Sequence, residues 1–303
     1  MIQYLRHAHI DKAAWDARLR ADPEAQWYGL STTLDAAAPG WDALVEERTG
    51  LQLALPWRRK FGIVYAYQPF LIQQLGPYGA RRSPDDVARF LAALPGRFRY
   101  ADIYLCNGTM EAAPRDVRLS ACTNHLLPLD GPVEVLRAQY ADNHRRNLRK
   151  VALDPGAYDE QVPVDELILF FGSSEQFKRW RIDPRRMAAL ERILRSSMAL
   201  GEGLCWGVRE GGYLVAGAFF VRWGGRLIFL KGLATARGRE LRAMHALLDR
   251  CIERHVGQGL TLDLAGSNDA ELARFYRGFG ARPTIYLHGL VNRLPTLLRR
   301  TKT

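Results

Sequence analysis

Cysteine is scarce in this 303-residue chain, and its four copies lie far apart. Cys106, Cys122, Cys205 and Cys251 form no C-x-x-C pair and no cysteine–histidine cluster with metal-ligand spacing, so nothing points to a zinc ribbon or a disulfide framework. They read as buried, reduced thiols of a cytoplasmic protein. Long apolar runs are absent too: none approaches the roughly 20 residues that cross a bilayer. The first twenty residues carry Arg6, Asp11, Lys12 and Asp16 where a secretory leader would be apolar. The expectation is a cytoplasmic chain with no integral membrane association. There is no P-loop and no dinucleotide-binding fingerprint. The histidines (His7, His9, His125, His144, His245, His255 and His288) are scattered, and their spacing gives no Ser–His–Asp pattern.

What is present is ordinary globular material, 48% hydrophobic and 25% charged. A single core stops growing near this length, so two domains of about 150 residues are expected. The net charge of +11 favours an anionic partner: nucleic acid, a phosphorylated substrate or an anionic membrane surface. It does not choose among them, and arginine so outnumbers lysine that compositional bias can supply part of it.

Along the chain, Asp11–Arg20 reads as a short helix. Leu51–Leu55 alternates as a half-buried strand, Arg58–Gly62 forms a hairpin tip and Ile63–Tyr67 is the returning strand. Ser83-Pro84-Asp85-Asp86 opens a helix with Ser83 as cap. Strands follow at Ala101–Leu105 and Ala121–Leu127. The breaker-rich stretch Pro128–Pro132 marks a boundary, giving domains 1–130 and 131–303. Beyond it come a basic helix over Val133–Val151 and a helix opened by Asp183-Pro184. Three strands then form a meander turning at Glu210-Gly211-Gly212 and Gly224-Gly225. A long helix over Arg239–Val256, a strand at Thr261–Ala265, a helix at Asp269–Gly278 and a closing strand at Thr284–Leu290 complete the reading. The fold class is α/β with mixed sheets flanked by helices.

Two stretches carry a resemblance. Asn268 to Ala281 places an Asn, a short helix ending in Phe275-Tyr276, and then Gly278 and Gly280, as the last segment of GNAT N-acyltransferases does. Before it, Asp263-x-x-Gly266 ends a strand, and Arg145-Arg146-Asn147-Leu148-Arg149-Lys150 opens the second half. Together these resemble the FemAB-like proteins, which are similar to two GNAT domains fused in tandem. The resemblance implies a mixed twisted sheet in each domain. It implies a degenerate N-terminal domain, 1–130, that binds the acceptor, and a C-terminal domain, 131–303, that binds the donor and carries the catalysis. It implies acyl or aminoacyl transfer to an amine acceptor: a small molecule, a peptide or a cell-wall precursor. The donor would be aminoacyl-tRNA or acyl-CoA, with no tightly bound cofactor or metal, in a monomer or homodimer.

In this fold two neighbouring parallel strands part, and their freed backbone amides hold the donor. Here they would be Phe229–Ala234 and Leu262–Ser267. Donor contacts then fall on Gly232, Leu233, Arg237, Gly266, Ser267 and Asn268, with Gly232 and Gly266 admitting close backbone approach. Acyl transfer needs an acid for the leaving group and a base for the amine. Tyr276 is the candidate acid, against a core tyrosine packed with Phe275 and Phe279. Asp263 is the candidate base, against a structural carboxylate paired with an arginine. Lys231 is the third catalytic candidate, pairing with Asp263 or with a phosphate, or lying solvated at an edge. Arg145, Arg146, Arg149 and Lys150 form a candidate phosphate grip, against a merely solvated basic face. Trp57, Arg58, Lys60, Gln68 and Gln74 are the acceptor candidates. In the stretch corresponding to the GNAT pyrophosphate loop, Glu240 and Arg242 replace glycines, which argues against ordinary CoA binding. Tyr276, where the peptidoglycan enzymes tend to have lysine, argues the other way. Two alternatives stay open: an acyl-CoA N-acyltransferase with an atypical pyrophosphate loop, and a non-catalytic module for RNA or an anionic surface, to which the basic tail Arg293–Lys302 would contribute.

Overall fold

The computed structural model describes residues 1–110, 116–175, 177, 182–266 and 268–295. In chain order the first elements are β1 (Gln3–Leu5), α1 (Lys12–Arg20), α2 (Ser31–Ala37), β2 (Trp41–Glu46), β3 (Leu51–Lys60), β4 (Ile63–Tyr67), α3 (Asp86–Ala92), β5 (Phe98–Leu105) and β6 (Val117–Pro128). Then come α4 (Val133–Ala138), α5 (Asp142–Arg149), β7 (Tyr158–Asp159), α6 (Val164–Ser173), α7 (Pro184–Ala199), β8 (Gly203–Glu210), β9 (Tyr213–Trp223) and β10 (Arg226–Ala234). The last are α8 (Ala236–Glu240), α9 (Ala243–His255), β11 (Thr261–Asp263), α10 (Ala270–Arg277) and β12 (Arg282–Asn292).

Two compact units emerge, Met1–Cys122 together with the chain from Ile285 onward, and Thr123–Thr284. They are drawn differently from the 1–130 and 131–303 division. The chain passes between units inside β6, ahead of the Pro128–Pro132 breakers. The closing strand pairs with β5, from Leu287 opposite Leu105 to Asn292 opposite Tyr100.

In the first unit β1 to β4 run antiparallel, β4 pairs parallel with β5, and β12 lies antiparallel on β5. The β3–β4 hairpin turns at Phe61 and Gly62, both at positive φ, the geometry whose twist matches its strands. The core gathers large side chains, among them Trp15, Trp27, Trp41, Phe90 and Phe98. Asp11 caps α1 by accepting the Ala14 amide at 3.0 Å. The expected cap at Ser83 is not used: α3 begins at Asp86, whose carboxylate accepts the Ser83 amide and pairs with Arg89.

In the second unit β7, β8, β9 and β10 form an antiparallel meander. Its two long hairpins turn at Gly211-Gly212 and Gly224-Gly225, all four at positive φ, where a Cβ would be strained. β10 pairs parallel with β11, and β11 pairs antiparallel with the end of β6. Alternate residues of β9 serve two faces. Ala216, Ala218 and Phe220 join Leu247, Leu248 and Ile252 of α9 in one core, each large side chain contributing about 1.5–3 kcal/mol by its burial. On the other face, a Cβ on Gly217 would come 2.7 Å from Leu167 of α6.

Two expected helices are broken, and each break has a partner far away in sequence. The helix expected over 133–151 divides into α4 and α5. Between them Tyr140 turns inward to donate to Asp249 at 3.0 Å, and the Ala141 amide goes to the Gly278 carbonyl. The helix expected over 239–256 divides at Arg242, which takes a left-handed conformation between α8 and α9. No helix among the described residues is long and apolar enough to cross a membrane.

Candidate functional site

The parallel pairing of β10 with β11 lasts three residues: Arg226 with Thr261, Leu227 with Leu262 and Ile228 with Asp263. From Phe229 to Ala234, β10 remains paired with β9 alone among the described residues. The other chain turns away because it is tied elsewhere. The Leu264 amide donates to the His125 carbonyl at 3.0 Å, and Ala265 and Gly266 both adopt positive φ. A left-handed alanine is uncommon and needs support. Asp263 supplies it, with Oδ1 accepting from the Ala265 amide at 2.9 Å.

Asp263 is fully buried, and both its oxygens are used. Oδ1 also accepts from Asn124 Nδ2 at 3.0 Å, and Oδ2 faces Arg226 Nη1 at 3.1 Å. The arginine partner is therefore Arg226, and the expected pairing of Lys231 with Asp263 is not made. Sequence reasoning missed both Arg226 and Asn124. The second had a signal, the three adjacent polar residues Thr123-Asn124-His125 inside the strand Ala121–Leu127.

On β10 the register slips between Phe229, opposite Phe220, and Lys231, opposite Phe219, so Leu230 is the added residue of a β-bulge. A bulge drops a peptide out of the regular ladder at the apex of the wedge. Gly232 is needed here for packing: a Cβ would overlap the Phe229 ring. The Leu233 side chain is in the core, so only its backbone is available to a donor. Gly266 marks the turn, the Asn268 side chain accepts the Thr123 amide at 3.1 Å, and Ser267 lies outside the described residues.

Tyr276 comes in from α10. Asp269 caps that helix, accepting the Glu271 and Leu272 amides at 3.0 and 2.9 Å. The Tyr276 ring is buried, edge-on to Phe229 at 6.4 Å between centroids and 5.9 Å from the His125 ring. Burial, and then the Asp263 charge, hold its hydroxyl well above the ordinary phenol range. No described residue hydrogen-bonds to that hydroxyl.

Lys231 places its ammonium 5.0 Å from the centre of the Phe177 ring, and burial lowers its pKa to about 8. Reaction of Lys231 with a small amine reagent such as cyanate is expected to rise with a midpoint near pH 8. Exposed lysines turn on near about 10.4. Peptide mass spectrometry of the chain labelled across pH reads both at once, and a Lys231 midpoint above 10 would remove the burial effect.

The expected anion sites are altered by ion pairs. Arg237 is held by Glu210, at 2.7 Å from Nη2, and by Glu240 at 3.1 Å, which removes it as a free donor contact. Its stretch forms α8 rather than an open loop, with Thr235 capping the Gly238 amide at 3.0 Å. Arg145 closes the α4–α5 joint by bonding the Ala138 carbonyl and Asp142, and is likewise not a free phosphate ligand. Arg146, Arg149 and Lys150 are exposed at the end of α5, where positive charge also complements the helix dipole.

The acceptor candidates all lie in the first unit and divide the same way. The Arg58 guanidinium stacks 4.1 Å over Tyr67, Arg97 lies over Trp57 at 5.0 Å, and Lys60 is exposed at the hairpin tip. Gln68 and Gln74 are structural instead. Gln68 binds the Ile72 carbonyl and the Tyr104 amide at 2.7 and 2.8 Å, and Gln74 is buried against Gln73. The basic tail is described only to residue 295; positions 296–302 lie outside the described residues.

Beneath α10, the His144 and His245 rings meet edge-on with centroids 4.7 Å apart, packed with Phe275 and Phe279. His144 Nε2 bonds the Phe275 carbonyl at 2.9 Å, and Asn147 bridges His245 and Arg242, each at 3.3 Å. Burial, then the His144 and Arg242 charges, lower the His245 pKa to about 4. Burial also lowers His125, His144 and His255. The unfolded chain therefore binds more protons than the folded one from about pH 6.5 down to about 4. Stability is fully present above pH 6.5 and is expected to fall as pH drops through that window. Urea midpoints at pH 7 and pH 5 measure the slope, and His245→Gln is expected to flatten it.

Residues 137–275 match the acetyltransferase (GNAT) domain family. A search of curated proteins finds no match. Among solved structures, FemX aligns with a TM-score of 0.68 at 13% identity, covering 99% of this chain and all of FemX. A conserved protein of unknown function from Bacteroides thetaiotaomicron aligns at 0.59, with 11% identity over 96% of this chain and all of its own. A C-terminal domain of a candidate lysylphosphatidylglycerol synthetase from Agrobacterium fabrum aligns at 0.53, with 14% identity over 94% of this chain and 92% of its own. The second unit is thus built around a GNAT-type domain. The chain as a whole has the fold of FemX.

Proposed function

We propose that the chain transfers an activated acyl group to an amine, and that the donor is an oxygen ester of the aminoacyl-tRNA kind. The second unit would bind the donor and carry the chemistry, and the first would receive the acceptor, an amine-bearing peptide or cell-wall precursor. The observation that carries the reading is the parting of β10 and β11 after three pairs, with a bulge and Tyr276 at the apex. An unpaired strand edge presents backbone amides. Fixed amides there would hold the donor carbonyl and stabilise its oxyanion, an effect worth about 2.7–4 kcal/mol for one donor group.

The choice of donor rests on two features. A phenol held above its ordinary range protonates a basic alkoxide far better than a thiolate, whose parent thiol ionises near about 8.5. The stretch where a CoA pyrophosphate would meet open glycine amides is instead the helical turn α8, with Arg237 already bound to acids. The match of 137–275 to an acetyltransferase domain favours the second reading, an acyl-CoA donor. To separate them, the full chain is incubated with aminoacyl-tRNA or with acetyl-CoA and a panel of primary amines, and products are read by mass. Transfer from the ester is expected. Transfer from acetyl-CoA alone would establish the second reading, and transfer from neither would overturn both.

A further inference from the structure

His125 is fully enclosed, and neither ring nitrogen has a hydrogen-bond partner among the described residues. A neutral imidazole carries one N–H donor and one acceptor nitrogen, so two groups that normally find partners when buried are left without them. Its neighbours in the strand do have tasks: Asn124 holds Asp263, and Leu127 packs in the core. Adjacent residues of a strand face opposite ways, which puts the ring on the side away from Asn124.

That side is the apex of the wedge. The His125 carbonyl accepts the Leu264 amide where β11 leaves β10, and the ring lies 5.9 Å from that of Tyr276. Tyr276 in turn packs on Phe229, the first residue of β10 beyond the last parallel pair. The groups acting on this corner are Arg277, whose charge joins burial in keeping the imidazole neutral, and Asp263, which acts on the Tyr276 hydroxyl. The apex therefore holds one proton acceptor and one proton donor side by side.

We propose that His125 is the base of the transfer, taking the proton of the attacking amine at its unpaired ring nitrogen. The inference rests on the acyl-transfer reading of the wedge. As the amine nitrogen bonds to the acyl carbon, its proton passes to His125. As the ester bond breaks, the leaving oxygen takes the hydroxyl proton of Tyr276. The imidazolium then returns a proton to the phenolate, so an ester and an amine give an amide and an alcohol, and both side chains are restored. The reset runs downhill, because the imidazole is kept a weak base and the phenolate a strong one.

His125→Gln keeps a polar group of similar size that cannot take the proton. With the donor that the unsubstituted chain uses, it is expected to lower kcat about 10²–10⁴-fold. It is also expected to remove the acidic limb of the kcat/KM profile, with the thermal midpoint kept or raised. In the unsubstituted chain labelled with [15N]histidine, the His125 ring is expected to titrate at the pH of that limb. This readout stands even where the variant fails to fold. A folded His125→Gln with unchanged kcat, or a ring that stays neutral across the limb, overturns the inference and leaves acyl transfer intact. Absence of transfer by the unsubstituted chain from either donor overturns both.

Discussion

Asp263→Ala is expected to destabilise the Thr123–Thr284 unit by about 3–5 kcal/mol, the cost of removing one partner of a buried ion pair. The substitution leaves Asn124 and the Ala265 amide without their acceptor, and Arg226 without its counter-charge. Arg226 keeps some contact with water, so screening places the effect toward the lower end of that range. Ala265 also loses the bond that holds it at positive φ, and the chain after β11 loses its reason to turn away from β10. Urea unfolding of the full chain, followed by tryptophan fluorescence, measures the loss.

Asp263→Asn separates anchor from base. It keeps an acceptor for the Ala265 amide and removes the charge facing Arg226. An anchor predicts a smaller but clear loss of stability, relieved in part when Arg226→Met is combined with it, and transfer activity that falls only as far as the fold does. A proton acceptor predicts the reverse: stability intact and transfer lost. The geometry favours the anchor, since both carboxylate oxygens are already engaged by Asn124, the Ala265 amide and Arg226.

Features encoded within a few residues were legible in the sequence. The Gly-Gly turns of the meander, the helix start at Asp183-Pro184 and the strand that ends at Asp263-x-x-Gly266 are local signals. Their positions held because positive φ and capping geometry each demand particular residue types. What escaped was decided by partners far along the chain. Arg237 looked free until Glu210, 27 residues away, took it. The helix over 133–151 breaks because Tyr140 reaches Asp249, 109 residues on. Gly232 was read as room for a ligand, and only the fold shows that it also makes room for Phe229. His125 was one of seven dispersed histidines, and only the fold reveals that its ring is buried beside Tyr276 with both nitrogens unused.

Tyr276→Phe is expected to lower kcat about 10²–10⁴-fold while moving stability by no more than about 0.5 kcal/mol. The two effects part because the ring and the hydroxyl do different work. The ring packs against Phe229, Phe275 and His125, and phenylalanine keeps every one of those contacts. The hydroxyl bonds to no described residue, so its removal breaks no hydrogen bond among them. Tyr276→Ala, by contrast, would cost about 3–5 kcal/mol through the cavity it leaves, whatever the catalytic role. A purely structural tyrosine predicts the same stability for Tyr276→Phe and unchanged turnover, so activity alone does not name the proton's destination. The leaving group does. If the hydroxyl protonates the departing atom, the deficit of Tyr276→Phe must grow with the basicity of that atom, because a weakly basic leaving group departs without help. A series of ester and thioester donors carrying the same acyl group, assayed with one amine, therefore expects a rising ratio of unsubstituted to variant kcat/KM along the series. A ratio that stays level from thioester to alkyl ester would take the acid role away from Tyr276.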